Sequence, residues 1–479
     1  MTGWGLQWQR RSRLWPVGRV LVLVFLASLV VAGGVFWALA ALLDVHQLKT
    51  ETQLTSATLF ELVKLSAGVV AGSGALVALV VAYRRQRVDE DGAMREATRL
   101  HTERFTAAVA QLGNVSAAVR LGGVHALSGL ADDAPTKDLR QTCIDVLCAY
   151  LRLPYAADPG LGPGDQDARH EYLALREVRH TVIRLIHHHL RLAADSPNSW
   201  QGHSFDFSNA VFDGGDWSRI KISGNQVSFD GAEFSGGRVS FGDANFSDSD
   251  ISFYRADFSA GKVSFLGAKS DGGWISFPGA QFSGGEVSFG SAALSGRELS
   301  FSGAEFSGGK VSFSGAMISS GAISFFGAKC CGGEIHFSGV RFSGGKVWFN
   351  GAIFSGGRVS FSCAKLDGGS VSFDGAEFSG GEVSFAGAGF SGSEVSLLRA
   401  VFSGGTVSFS GAGFFRGRVS FDGAAFSGSR LSFDDAFFSG GEVDLRNSSG
   451  NAPENLVPAD GGPLPPALLL PERWYQPAA

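Results

Sequence analysis

The chain has 479 residues, with 40 Lys+Arg against 45 Asp+Glu and a formal charge of −5, which argues against a polyelectrolyte-type nucleic-acid binder. Charged residues at 18% and hydrophobic residues at 44% exclude wholesale disorder, and 67 Gly without a period of three, beside only 14 Pro, exclude collagen. Five cysteines make no disulfide framework, and 40 Phe beside 3 Met and 6 Tyr point to an internal repeat rather than an ordinary mixed core.

The N-terminus predicts a two-helix transmembrane hairpin over residues 1–87. Val20 to Leu43 carries no charge and is long enough to cross roughly 30 Å of hydrocarbon. Leu65 to Tyr83 is a second apolar run, held between Lys64 and Arg84. Arg10, Arg11, Arg13 and Arg19 precede the first run, and Arg84, Arg85 and Arg87 follow the second. The excess of basic residues outside the hairpin places both termini in the cytoplasm.

Residues 88–198 read as a small all-α segment beside the membrane. Leu100, Phe105, Val109 and Leu112 recur at helical spacing, as do Val119, Leu121, Val124, Leu127 and Leu130. A third helix starts near Thr136 and stops at Pro154, and a fourth carries Val178, Val182, Ile186 and Leu190. His187, His188 and His189, with His180, invite a metal reading. Consecutive helical residues point about 100° apart, so the run cannot converge on one ion. Cys143 and Cys148 read as small core residues.

From Val227 to Val443 the chain repeats every twelve residues without insertion. One unit is Val227-Ser228-Phe229-Asp230-Gly231-Ala232-Glu233-Phe234-Ser235-Gly236-Gly237-Arg238. The third position is Phe except at Leu397 and Leu445, and the sixth is Ala except at Val340. Each unit holds two phrases, Val-x-Phe and Ala-x-Phe. Side chains two apart on an extended chain point the same way, so each phrase offers a two-residue inward edge before a Ser/Gly/Asp turn. Upstream, Phe207, Phe212, Trp217 and Ile222 follow at five-residue spacing.

Such phrases resemble the pentapeptide-repeat family over about 240 residues, Phe205 to Leu445, with two extra residues in every twelve. The preceding helical region is similar to that of membrane-anchored bacterial members of the family, of actinobacterial type. The resemblance implies an all-β right-handed quadrilateral β-helix over 199–446, four phrases per coil, hence 24 residues per coil here. It also implies a bacterial inner-membrane protein with its repeat domain in the cytoplasm.

Packing independently favours the 24-residue coil. Two aromatics, an aliphatic residue and Ala would overfill a twelve-residue coil. Taking the twelfth position of every other unit gives Arg238, Lys262, Glu286, Lys310, Glu334, Arg358, Glu382, Thr406 and Arg430. From Lys262 to Glu382 the sign alternates, as stacked coils about 4.8 Å apart would favour. These residues are the candidate interaction surface. Residues 447–479 form a Pro-rich tail or cap over the last coil.

The sequence contains no nucleophile motif, ligand cluster or phosphate loop, so no enzyme activity, metal or cofactor is expected. The expected function is a membrane-tethered scaffold whose partners are the bilayer and other proteins, with homodimerisation open. The alternative is the DNA mimicry of a topoisomerase-binding pentapeptide-repeat protein. That reading needs a strongly acidic face, whereas residues 201–446 hold 24 acids and 18 bases.

Overall fold

The structure is a computed structural model that describes residues 56–156, 166–224, 226–247, 249–453, 456 and 466–474, with scattered helical residues between 22 and 41. The chain divides into two compact units, Met1–Leu100 and His101–Ala479.

In the first unit, the expected span Val20–Leu43 lies mostly outside the described residues, as does the loop after it, so the hairpin and its orientation lie outside them too. The second apolar run lies inside helix α1 (Ser56–Leu112). Among the described residues, α1 is the one helix long and apolar enough to cross a membrane; its most apolar 18-residue window has mean hydropathy 2.1 and is not buried.

The second unit begins with helices around one core. Helix α2 (Ala117–Asp132) follows Ser116, and helix α3 (Lys137–Arg152) follows Thr136, whose hydroxyl accepts a hydrogen bond from the Leu139 amide at 3.2 Å. Helix α4 spans Gln166–Arg191. Val124, Leu127, Ile144, Leu147, Val182 and Ile186 interlock in the centre, continuous with the aromatic interior that follows. Gly123 is required where α2 crosses α1: a Cβ there would stand 2.6 Å from the Leu112 amide nitrogen.

From Phe205 the chain winds into a solenoid of about ten coils. Each coil visits four parallel sheets in a fixed order, here called faces 1 to 4. In one coil they are Gln226–Ser228, Glu233–Phe234, Arg238–Ser240 and Asn245–Ser247. Strands pair with those 24 residues later, as in Lys262↔Glu286 and Trp274↔Glu298. The twelve-residue period is therefore half a coil.

Faces 1 and 3 carry Val-x-Phe phrases, and faces 2 and 4 carry Ala-x-Phe phrases. Strand burial alternates accordingly: in Lys262–Ser264 only Val263 points inward. The phenylalanines stack coil upon coil. Phe253, Phe277, Phe301, Phe325, Phe349 and Phe373 form one column, with ring centroids 4.5 to 4.9 Å apart. This spacing matches the strand separation of a sheet, so backbone pairing and ring stacking share one pitch.

At the corners the chain turns through the third to sixth positions. The Ala232 amide donates to the Phe229 carbonyl at 3.0 Å, with Gly231 at φ +66°. A residue at i+2 with positive φ defines a type II turn and explains the recurrent fifth-position Gly. The second Gly of the extra pair, Gly237, combines a φ of +63° with close approach between coils. A Cβ on Gly237 would lie 2.1 Å from the Asp213 carbonyl oxygen.

Both ends are covered. Helices α3 and α4 pack on the first coil. At the other end, Leu468–Leu469 adds a parallel strand beyond Glu442–Asp444 on face 1. Trp474 sits edge-on to Phe426 at 5.7 Å and donates its indole N–H to the Gly450 carbonyl at 3.1 Å.

Candidate interaction surface

The lumen is filled by side chains, so chemistry with other molecules falls to the outward rows and the helical cap. Column packing weakens on face 4, where Ser270, Leu294 and Ile318 replace Phe, and leaves a void of about 20 Å³ there. That is room for little more than a water molecule.

The twelfth-position residues of alternate units form one row on face 3, and those of the other units lie on face 1. Arg238 pairs with Lys262, Lys262 with Glu286, Glu286 with Lys310 and Lys310 with Glu334. The row continues through Arg358, Glu382, Thr406 and Arg430. Lys262 Nζ reaches Glu286 at 2.9 Å, and the Arg358 guanidinium reaches Glu382 at 2.9 Å. His336 bonds Glu334 at 2.9 Å and holds its carboxyl below the usual range. Much of this row's charge is spent within the rod, where it favours one stacking register.

Two other rows escape a reading confined to the twelfth position. On face 2, the seventh positions give Glu233, Asp257, Gln281, Glu305, Lys329, Ile353 and Glu377 in successive coils. On face 4, the corresponding row is Lys221, Asn245, Lys269, Ala293, Met317, Arg341 and Lys365. The face 2 row is mainly acidic and the face 4 row mainly basic, though Asp271 and Asp367 also stand outward on face 4 beside Lys269 and Lys365; the two rows are separated by face 3 on one side and face 1 on the other. Burial pushes the Asp257 carboxyl up. The signal was available: reading position seven of alternate units separates the two signs.

The cap contains a polar node that periodicity does not reveal. Asp213, in the first coil, accepts hydrogen bonds from Tyr155 at 2.7 Å, Tyr172 at 3.0 Å and Arg176 Nε at 2.9 Å. His180 Nε2 stands 2.9 Å from its other oxygen. Burial pushes the carboxyl up, but the hydrogen bonds from His180 and Tyr155 outweigh it and hold it well below the usual carboxylate range. Arg179, buried, donates to the Leu151 and Val211 carbonyls and lies over the Tyr155 ring at 4.2 Å.

The histidines that invited a metal reading have separate duties. His180 holds Asp213. His187 Nε2 bonds the Ser218 carbonyl at 2.9 Å. His189 bonds Asp132 at 3.1 Å and stacks on Trp200 at 4.1 Å. Among the described residues, no group of His, Cys, Asp or Glu has the geometry to hold a metal ion. Cys143 is buried 3.8 Å from His101 Nε2, with its thiol pushed up to about 11 by burial, the opposite of an activated nucleophile.

Comparison of the chain with protein families, curated proteins and solved structures finds no match. The regular Phe columns and 24-residue coils fit a pentapeptide-repeat-type fold.

Proposed function

We propose that this protein is a membrane-tethered, non-enzymatic docking rod of the pentapeptide-repeat type, held on the cytoplasmic face of a bacterial membrane. One observation carries the reading: the inward positions are nearly invariant and tightly packed, while the outward positions differ from face to face. A solenoid of this kind presents a long, regular surface at fixed spacing, which suits contacts with other proteins. The apolar stretch of α1 supplies the tether.

DNA mimicry asks for one sign along the rod. The opposite signs on faces 2 and 4, and the alternation on face 3, weigh against it.

Crosslinking in native membranes tests the docking reading. Full-length protein is compared with a form lacking residues 200–479. A partner captured only by the full-length chain supports a docking rod. A partner captured equally by both moves the function to the helices and overturns the reading.

A further inference from the structure

We propose that the acidic row of face 2 docks against the basic row of face 4 of a second copy of this chain, lining copies up side by side. This deepens the docking-rod reading, on which it rests, by naming one partner. The first support is sign: Glu233, Asp257, Glu305 and Glu377 on face 2 against Lys221, Lys269, Arg341 and Lys365 on face 4.

The second support is that, among the described residues, none of these eight makes an ion pair of 4 Å or less. The face 3 row, by contrast, is ion-paired internally at Lys262–Glu286 and Arg358–Glu382. Apart from Asp257, which is half-buried, these face 2 and face 4 charges are exposed and stand outward.

The third support is pitch. Both rows repeat once per 24-residue coil, so two rods share a period along their whole length. Consider parallel rods staggered by two coils, about 10 Å. Asp257 then meets Lys221, Glu305 meets Lys269, and Glu377 meets Arg341. Ile353 meets Met317, apolar against apolar, and no like charges meet within these rows. Without the stagger, Lys329 meets Arg341. Because the two rows lie on different faces, the contact is heterologous and does not close into a dimer: each copy keeps a free face for the next.

Sedimentation of the full-length protein in detergent tests this at about 50 mM and about 500 mM salt. Wild type should associate beyond one chain at low salt and dissociate at high salt. The variants D257K/E305K/E377K and K221E/K269E/R341E should each associate at least about tenfold more weakly alone. Mixing the two should restore association, because each then meets a complementary row. If either triple variant loses its β-sheet signal, the milder E305Q/E377Q decides by the same weakening. A wild type that stays single at low salt, a variant that associates like wild type, or a mixture without rescue overturns the proposal. A single wild-type chain that still captures another protein in membranes would leave the docking-rod reading standing and remove only this one.

Discussion

The carboxylate of Asp213 and the imidazole of His180 stand 2.9 Å apart and lock helix α4 to the first coil of the solenoid. Three further donors converge on that carboxylate, so its removal leaves Tyr155, Tyr172 and Arg176 without their acceptor. Asp213→Asn should cost about 1.5–3 kcal/mol, the range for hydrogen bonds to a charged group, because the network is half-buried. Thermal unfolding of the full chain in detergent measures it. A loss below about 1 kcal/mol would show that the node does not hold the cap.

The same node sets an acid limit. The folded Asp213 carboxyl is held below its unfolded value, so its stabilisation is complete above the unfolded carboxylate range, near pH 4. It is lost as pH falls from there toward the folded value. Melting temperature should therefore drop below about pH 4 in wild type, and Asp213→Asn should flatten that part of the profile.

The void on face 4 predicts a stabilising change. Ser270 occupies a position that elsewhere holds Phe, beside Leu294 and Ile318. Ser270→Val, which adds one heavy atom, should add about 1 kcal/mol by filling it. Phe301→Ala should cost about 3–5 kcal/mol, because Phe301 stacks on both Phe277 and Phe325 at 4.8 and 4.9 Å. Chemical denaturation of the two variants gives both signs in one experiment.

The face 3 ladder predicts a small, salt-sensitive effect. Glu286→Lys puts like charge between Lys262 and Lys310. The groups are partly solvated, so the loss should be about 0.5–1 kcal/mol at low salt and should shrink as salt is added. An unchanged melt across ionic strengths would show that the ladder does not contribute to register.

The tether predicts that the protein stays with membranes through alkaline extraction. In right-side-out vesicles, protease should spare the repeat region. Its digestion there would reverse the orientation read from Arg10, Arg11, Arg84 and Arg85.

Much of this architecture is legible in the chain itself, because the lumen repeats one physical demand. Val-x-Phe and Ala-x-Phe fix which side chains go inward. The sign alternation from Lys262 to Glu382 distinguishes a 24-residue coil from a 12-residue one. The helical starts at Ser116 and Thr136 are equally plain. The Asp213 node is not legible, for its partners come from residues 33 to 58 positions away. No period connects a loop tyrosine, a helical arginine and a coil aspartate. Nor does sequence alone reveal that Arg179 is buried: its partners are backbone carbonyls of Leu151 and Val211, and backbone carries no residue signature.

One coil equals two repeat units, and this imposes a phase on the gene as well as on the fold. Adding or removing 24 residues lengthens or shortens the rod and leaves every later side chain on its own face. Adding or removing 12 preserves the inward pattern just as well, yet turns everything downstream by half a revolution. Acidic positions of face 2 would then continue as face 4, and the prevailing sign of each row would reverse at the joint. Val227–Gly237 and Val371–Gly381 are identical over eleven residues and lie 144 apart, a whole number of coils. Copying in whole turns lets such a protein change its reach without scrambling what each side displays.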